Sequence, residues 1–464
     1  MRKPHLFISI KVNLKTAIMK NLIFWIFYFL SISLINAQVW STVGDGLGTC
    51  GNNQDRVHAL CNFNGSLYAG GSFDSSGLSP IRNIAKWNGS VWSPVGSGCN
   101  NMVYAMAEYN GDLYVGGAFD SVGNIPARRI AKWDGNNWSS LGSGCDDIVS
   151  ALTVYNGDLY AGGVFDTIDG IYSSGIAKWN GSNWVSIGIF LQVYYAISFC
   201  TYNNELYAGC VNLLPGGMFK NSIAKWNGSS WSNVGRGIAG NLYNSVFALT
   251  VYNNELYVGG LFDSAGVVST KNIAKWNGVN WSSVGGGVAK GINGANPYVL
   301  SLKVYNNELY AAGQFDTAGL SYVSRIARWN GNTWNAVGGG IIGTPMSEEI
   351  YNNELFVGGN FCYAGGIGAL NAQNVVRWSM PTAIENYEDI PRIKIYPVPA
   401  KKNITVETDF EILSWLLLDE LGRTIIVGNP NANKFEIPCD NLNLGIYTLI
   451  AKNDKRCYYK KIIK

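Results

Sequence analysis

Between Val39 and Trp378 the apolar and aromatic residues come in short bursts separated by Asn and Gly, and no burst keeps a helical period. The stretch Ala248–Gly287 shows the unit. Ala248–Tyr252 and Leu256–Val258 flank an Asn253-Asn254 step, and Ile273–Trp276 and Trp281–Val284 flank Asn277-Gly278. Short runs of β-branched and aromatic residues predict four strands. The Asn-Asn and Asn-Gly steps tolerate positive φ and predict tight hairpins between them.

The unit recurs. Its second strand centres on Tyr68, Tyr114, Tyr160, Tyr207, Tyr257, Tyr310 and Phe356. Its third strand ends at Trp87, Trp133, Trp179, Trp226, Trp276, Trp329 and Trp378, and its fourth begins at Trp40, Trp92, Trp138, Trp184, Trp231, Trp281 and Trp334. A four-strand unit returning every 46–53 residues predicts a β-propeller. Each series has seven members, but the fourth strands run one unit out of phase. The chain opens on a lone fourth strand, Val39–Val43, and ends at Trp378 without one. The fold predicted for residues 38–380 is therefore all-β, a seven-bladed propeller whose N-terminal strand closes the last blade and protects its edges.

Length varies mainly in the connection from the fourth strand to the next first strand. From Trp to the next Tyr or Phe it is 22 or 23 residues in four cases, and 28, 26 and 29 after Trp40, Trp231 and Trp281. Such connections share one face of a propeller, and insertions confined to one face mark a working surface. Asp45–Arg56, Arg236–Ser245 and Gly287–Tyr298 supply the candidate ligand-binding residues Asn52, Asn53, Asp55, Asn241, Tyr243, Asn293, Asn296 and Tyr298, amides and tyrosines suited to sugar or peptide hydrogen bonding.

Composition changes this picture at the N-terminus. Residues 1–37 hold five basic residues and no acid, and Leu22–Ile35 is an apolar run ending Ile35-Asn36-Ala37. That reads as a secretory signal peptide cleaved between Ala37 and Gln38, with Met19 as an alternative start. The remainder has 29 basic and 31 acidic residues, a net charge of −2, with no basic stripe for nucleic acid and no second run long enough to span a membrane. Of the 15 tryptophans after Ala37, 14 occupy the two repeat positions, which assigns them to packing between blades.

Catalytic and metal constellations are sparse, and no cofactor is expected. His58 is the sole histidine beyond the signal region and reads as an ordinary strand residue. Asp146-Asp147 and Glu348-Glu349 read as solvated charge in the fourth-to-first connections. Nine cysteines, an odd number, give no pairing.

The words Gly-Gly-x-Phe, Ile-Ala-Lys-Trp-Asn-Gly and Trp-Ser-x-Val-Gly resemble kelch-type propellers and, more closely, the repeats of cortical polarity-marker proteins. That resemblance implies a binding platform. The Asp-Ser/Thr-apolar words at Ser121, Thr167, Ser264 and Thr317 resemble acceptor sites for O-glycans in exported proteins of the Bacteroidota. Residues 381–391 form a linker. After it, the alternating strands of 392–464 suggest a small Ig-like β-sandwich. Tyr396, Pro397, Pro399, Gly422, Arg423, Gly445 and Tyr447 make this tail similar to the C-terminal sorting domain of type IX secretion cargo. The resemblance implies the type IX machinery as partner and a secreted or surface-attached product. The expected function is an exported binding or adhesion module for a glycan or protein. The rival is a secreted propeller enzyme, a polysaccharide hydrolase or lyase.

Overall fold

The computed structural model describes residues 39–49, 51–52, 54–188, 195–212, 222–240, 244–289, 296–365, 369–379, 393–397, 399–400, 402–418, 424–452 and 457–464. Residues 1–38, with the Ala37-Gln38 cleavage position, and the linker lie outside them. Among the described residues the regular structure is β throughout.

The repeat folds as a four-stranded antiparallel sheet. In sheet 1 the spatial order is Arg56–Phe63, Ser66–Ser72, Ile84–Trp87 and Trp92–Pro94. Sheets 2 to 6 repeat it from first strands Val103–Tyr109, Val149–Tyr155, Tyr195–Tyr202, Asn244–Tyr252 and Tyr298–Tyr305. Sheet 7 joins Ile341–Tyr351, Glu354–Ala364 and Val375–Ser379 to Val39–Thr42 from the other end of the repeat region, with Trp40 opposite Trp378. Extra pairing of Val211 with Ser245 and Asn212 with Asn244 joins sheets 4 and 5. The hairpins have the backbone their residues favour: φ is +47° and +68° at Asn64 and Gly65, and +49° and +59° at Asn253 and Asn254.

First strands meet in order around the molecule, and the cycle closes between sheets 7 and 1. The hydrophobic core lies in layers between neighbouring sheets. One layer packs Phe63 and Ile84 of sheet 1 on Val103 and Leu113 of sheet 2, and another packs Val57 and Leu67 on Phe356 and Val375 of sheet 7. Tryptophans fasten these layers. Nε1 of Trp92, Trp138, Trp281 and Trp334 donates to the carbonyls of Val43, Val95, Val234 and Val284 at 3.0–3.2 Å, each on the preceding sheet's outer edge. A buried bond of this kind contributes about 1 kcal/mol, and losing it strands a carbonyl. Third-strand indoles sit against tyrosine hydroxyls of the preceding sheet, Trp133 at Tyr68 and Trp276 at Tyr207.

The alternation of strands sends both tight turns of every sheet to one face. The opposite face receives the second-to-third loops and the long fourth-to-first connections.

The C-terminal residues form a three-stranded sheet (Lys394–Tyr396, Asn403–Ile412, Ala432–Pro438) and a four-stranded one (Thr424–Gly428, Ser414–Leu418, Ile446–Lys452, Cys457–Ile463). Both contribute to one core that includes Ile404, Val406, Trp415, Leu417, Ile437 and Leu449.

Candidate functional site

Every first strand carries a β-bulge at one equivalent position, five residues before its terminal Tyr or Phe. The bulged residues are His58, Tyr104, Ser150, Ile197, Phe247, Leu300 and Met346. A bulge re-aims a side chain out of the alternation. Here it turns these residues toward the centre of the cycle. Six of them, with Tyr298, line a cavity of about 370 Å³ on the face that receives the long connections. Ser150, Phe247 and Leu300 also line a second cavity of about 250 Å³, shared with Met106, Leu152, Phe199, Leu249 and Leu302. The two make the mouth and interior of a central channel.

The glycine pairs are the counterpart of the bulges. A Cβ on Gly71 would stand 1.9 Å from the Arg56 carbonyl oxygen, and one on Gly260 1.9 Å from that of Ser245. The second glycine thus makes room for the backbone ahead of the bulge in six sheets, and in sheet 4 Cys210 takes its place. From sequence the pairs close the second strand. In the structure Asp112–Gly117 and Asp158–Gly163 end on the pair, whereas Ser66–Ser72 and Glu255–Leu261 run one residue past it.

His58 is not an ordinary strand residue. Its ring lies 4.8 Å from that of Tyr104, and its buried Nε2 has no hydrogen-bond partner among the described residues. Burial, helped by the Arg56 charge, holds its pKa down to about 4, so it is neutral at physiological pH. Across the mouth, Phe247 and Tyr298 meet edge to face at 6.0 Å.

Glu348-Glu349 requires a correction. It lies within the first strand of sheet 7, not in a connection. Glu349 turns outward to Lys303 at 2.8 Å and accepts from Asn62 Nδ2 at 3.3 Å. Glu348 turns inward and takes the register of Leu60, Met106, Leu152, Phe199, Leu249 and Leu302 in the other sheets. It is 7% exposed, and neither carboxylate oxygen has a hydrogen-bond partner among the described residues. Burial pushes its pKa up to about 7 against the opposing influence of the Ser301 hydroxyl and the Lys303 ammonium. Asp146 and Asp147 do lie in a connection, where Asp146 accepts from the Thr167 hydroxyl and backbone N–H and Asp147 from the Ile148 N–H.

The long-connection residues divide. Tyr298 opens the first strand of sheet 6 and reaches the mouth, whereas Asn296 is exposed beside it. Asp55 is buried: Oδ2 accepts from Thr49 N at 2.6 Å, and its carbonyl accepts from Asn360 Nδ2 at 2.7 Å. Asn52 Oδ1 accepts from Gln54 N at 3.1 Å. Asn53, Asn241, Tyr243 and Asn293 lie outside the described residues. Ser121, Thr167, Ser264 and Thr317 are half-buried in two-residue strands of the second-to-third loops, and Ser264 Oγ donates to the Ala239 carbonyl at 3.2 Å. Cys99 and Cys145 are free and buried, bridging to Val122 and Ile168, while Cys362 is disulfide-bonded.

In the tail, Tyr396 donates to Glu407 Oε2 at 2.7 Å and precedes Pro397 through a cis peptide bond. Tyr447 donates to the Asn443 carbonyl at 2.9 Å, and Gly445 and Lys464 exchange backbone bonds. Pro399 is exposed, and Gly422 and Arg423 lie outside the described residues.

Residues 394–464 match the family of secretion system C-terminal sorting domains. The tail is a type IX sorting domain, and it marks the chain for export to the cell surface or beyond. No curated protein matches the chain. Among solved structures, the chain is similar to PorZ, a bacterial surface component of the type IX secretion system of Porphyromonas gingivalis. That likeness has 13% identity and a TM-score of 0.44, over 90% of this chain and 60% of PorZ. The extracellular domain of BT4673, a candidate one-component system of B. thetaiotaomicron, matches at 12% identity and TM-score 0.44, over 92% of this chain and 58% of that one. BamB from Moraxella catarrhalis matches at 12% identity and TM-score 0.33, over 71% and 95%. The chain thus spans about three fifths of the first two proteins. No helix among the described residues is long and apolar enough to cross a membrane.

Proposed function

We propose that residues 38–380 form a seven-bladed β-propeller, delivered by a signal peptide and the type IX sorting tail, that works as a binding module through the mouth of its channel. One observation carries this reading. The packing positions repeat almost unchanged from sheet to sheet, yet the bulged position holds His, Tyr, Ser, Ile, Phe, Leu and Met, seven different residues in seven copies. Packing alone favours one residue at an equivalent position, as it does for tryptophan. Seven different ones suit an asymmetric ligand held on a symmetric frame. Aromatic walls with a few polar groups fit a sugar ring or a protein side chain. Tyr298 joins the mouth to the long connections, whose amides would widen the contact. For the tail, the Tyr447 hydroxyl on the Asn443 carbonyl supports an Ig-like sandwich, because it has the form of a tyrosine corner.

The test is retention on a panel of polysaccharides and surface glycoproteins, with chain cleavage read in the same assay. Retention without cleavage is expected. Y104A and F247A should each weaken it about tenfold or more while leaving the melting temperature within a few degrees. Cleavage would move the reading to a hydrolase or lyase, and retention untouched by both variants would remove the mouth from it. The hydroxyls of Ser121, Thr167, Ser264 and Thr317 are proposed glycan acceptors. An intact mass equal to that of the bare polypeptide, on protein from the native host, would withdraw that assignment.

A further inference from the structure

Glu348 is the one break in an otherwise apolar ring. Six sheets place Leu, Met or Phe at this register, and the seventh places a buried carboxyl group whose oxygens make no hydrogen bond of ordinary geometry among the described residues. A buried carboxylate with no hydrogen-bond partner works against folding, and leucine in its place would pack as it does in four of the other sheets. Breaks of a local rule without a structural return concentrate where function demands them.

The surroundings indicate what would satisfy it. Glu348 holds the register of Met106, Leu152, Phe199, Leu249 and Leu302, which line the inner cavity, and Ser301, whose hydroxyl favours its ionised form, lines it too. Lys303, the ammonium on the flanking strand of sheet 6, is already bound to Glu349 at 2.8 Å. On the other flank, sheet 1 presents Arg56, His58 and Cys61. The last two are neutral at physiological pH, because burial holds the His58 pKa down to about 4 and pushes that of the Cys61 thiol up to about 12. The aromatic mouth favours a cation carried on an apolar stem that its rings can hold.

We propose that the channel receives a primary ammonium group on a slim apolar stem, the stem between Tyr104, Phe247 and Tyr298 and the ammonium drawn to Ser301 and Glu348. Aromatic faces attract a cation electrostatically, and a desolvated carboxylate binds one through charge-assisted bonds. Lysine side chains and free alkylamines share this chemistry. The proposal rests on the mouth-binding reading and narrows it. Binding ionises Glu348 and releases its proton, so affinity rises with pH up to neutrality and levels off above it.

The experiment titrates the full chain with n-butylammonium and with n-butanol by calorimetry, below and above neutral pH, in buffers of different ionisation enthalpy. Butylammonium should bind about tenfold or more tightly than butanol. On the acid side it should release a proton. E348Q should bind both probes alike and release none. Should E348Q fail to fold, E348L carries the same comparison, since it restores the residue of the other sheets. Equal affinity for the two probes, or an ammonium preference that survives E348Q or E348L, would overturn the role of Glu348 and leave the mouth reading standing. Binding of neither probe, together with glycan or protein retention unaffected by Y104A and F247A, would overturn both.

Discussion

Glu348, buried, and His58, half-buried, lie on first strands of adjoining sheets and bias the pH dependence of stability in opposite directions. The folded-state pKa of Glu348 is raised to about 7, so its protonated form favours folding. Its contribution is complete below the unfolded carboxyl pKa and is lost as pH rises through about 7. His58 is depressed to about 4, so its contribution is complete above the unfolded imidazole pKa and is lost as pH falls through about 4. Each shift corresponds to roughly 3 kcal/mol at most. Between about pH 4.5 and 6.5 the two slopes nearly cancel. E348L removes the falling arm. Denaturant melts of this variant should show stability rising through that window, with a gain over wild type of up to about 3 kcal/mol at pH 8 and almost none at pH 4.5. H58F should show the reverse, a fall from mildly acid to neutral pH. Parallel profiles for both variants and wild type would mean that neither group is held as the structure places it. The sequence concealed this pair for a plain reason. Ile341–Tyr351 spells IIGTPMSEEIY, whose Gly, Pro and adjacent acids read as a connection, and the hydrogen-bond register alone puts Glu348 on the inner face.

At the scale of the element, the turns and strands were legible because their chemistry is local. Asn-Asn and Asn-Gly set the hairpins through φ, and the tryptophans set sheet spacing through a side chain that only one layer geometry accommodates. Bulges have no such local signature, since inserting one leaves the apolar pattern of Val57-His58-Ala59 reading like any strand. Their trace in the sequence is indirect and sits in the partner strand, in the glycine pairs. Gly70 and Gly71 differ in a testable way. A Cβ on Gly70 would meet the Val103 methyl at 2.4 Å, a side chain that can turn, whereas one on Gly71 would meet the Arg56 carbonyl at 1.9 Å, which cannot. G70A should cost about 1–3 kcal/mol, the usual range for overpacking, and G71A more. G71A should also displace His58, visible as a rise of its pKa from about 4 toward the ordinary imidazole range by NMR titration. An equal cost for the two variants with an unmoved His58 would separate glycine and bulge.

For the whole molecule, the phase shift between the tryptophan series carried the information about closure, because a lone leading fourth strand and a missing final one have a joint solution. In the structure Val39–Thr42 pairs along Val375–Ser379, and Trp40 Nε1 donates to the Val337 carbonyl at 3.4 Å, the same contact that other fourth strands make within the repeat. This strand does two separable things. It fills the layer between sheets 6 and 7, and it covers the backbone edge of Val375–Ser379. W40A removes the first and keeps the second. It should cost about 3–5 kcal/mol, as buried Trp-to-Ala changes do, and leave a monomer. Deleting residues 38–43 removes both, and an unpaired edge recruits other strands. The deletion should lower the melting temperature further and produce concentration-dependent association by light scattering, whereas W40A should not. A monomeric deletion variant as stable as W40A would mean that the edge is covered some other way. The closing strand would then be a packing element and not the clasp that its place in the repeat implies.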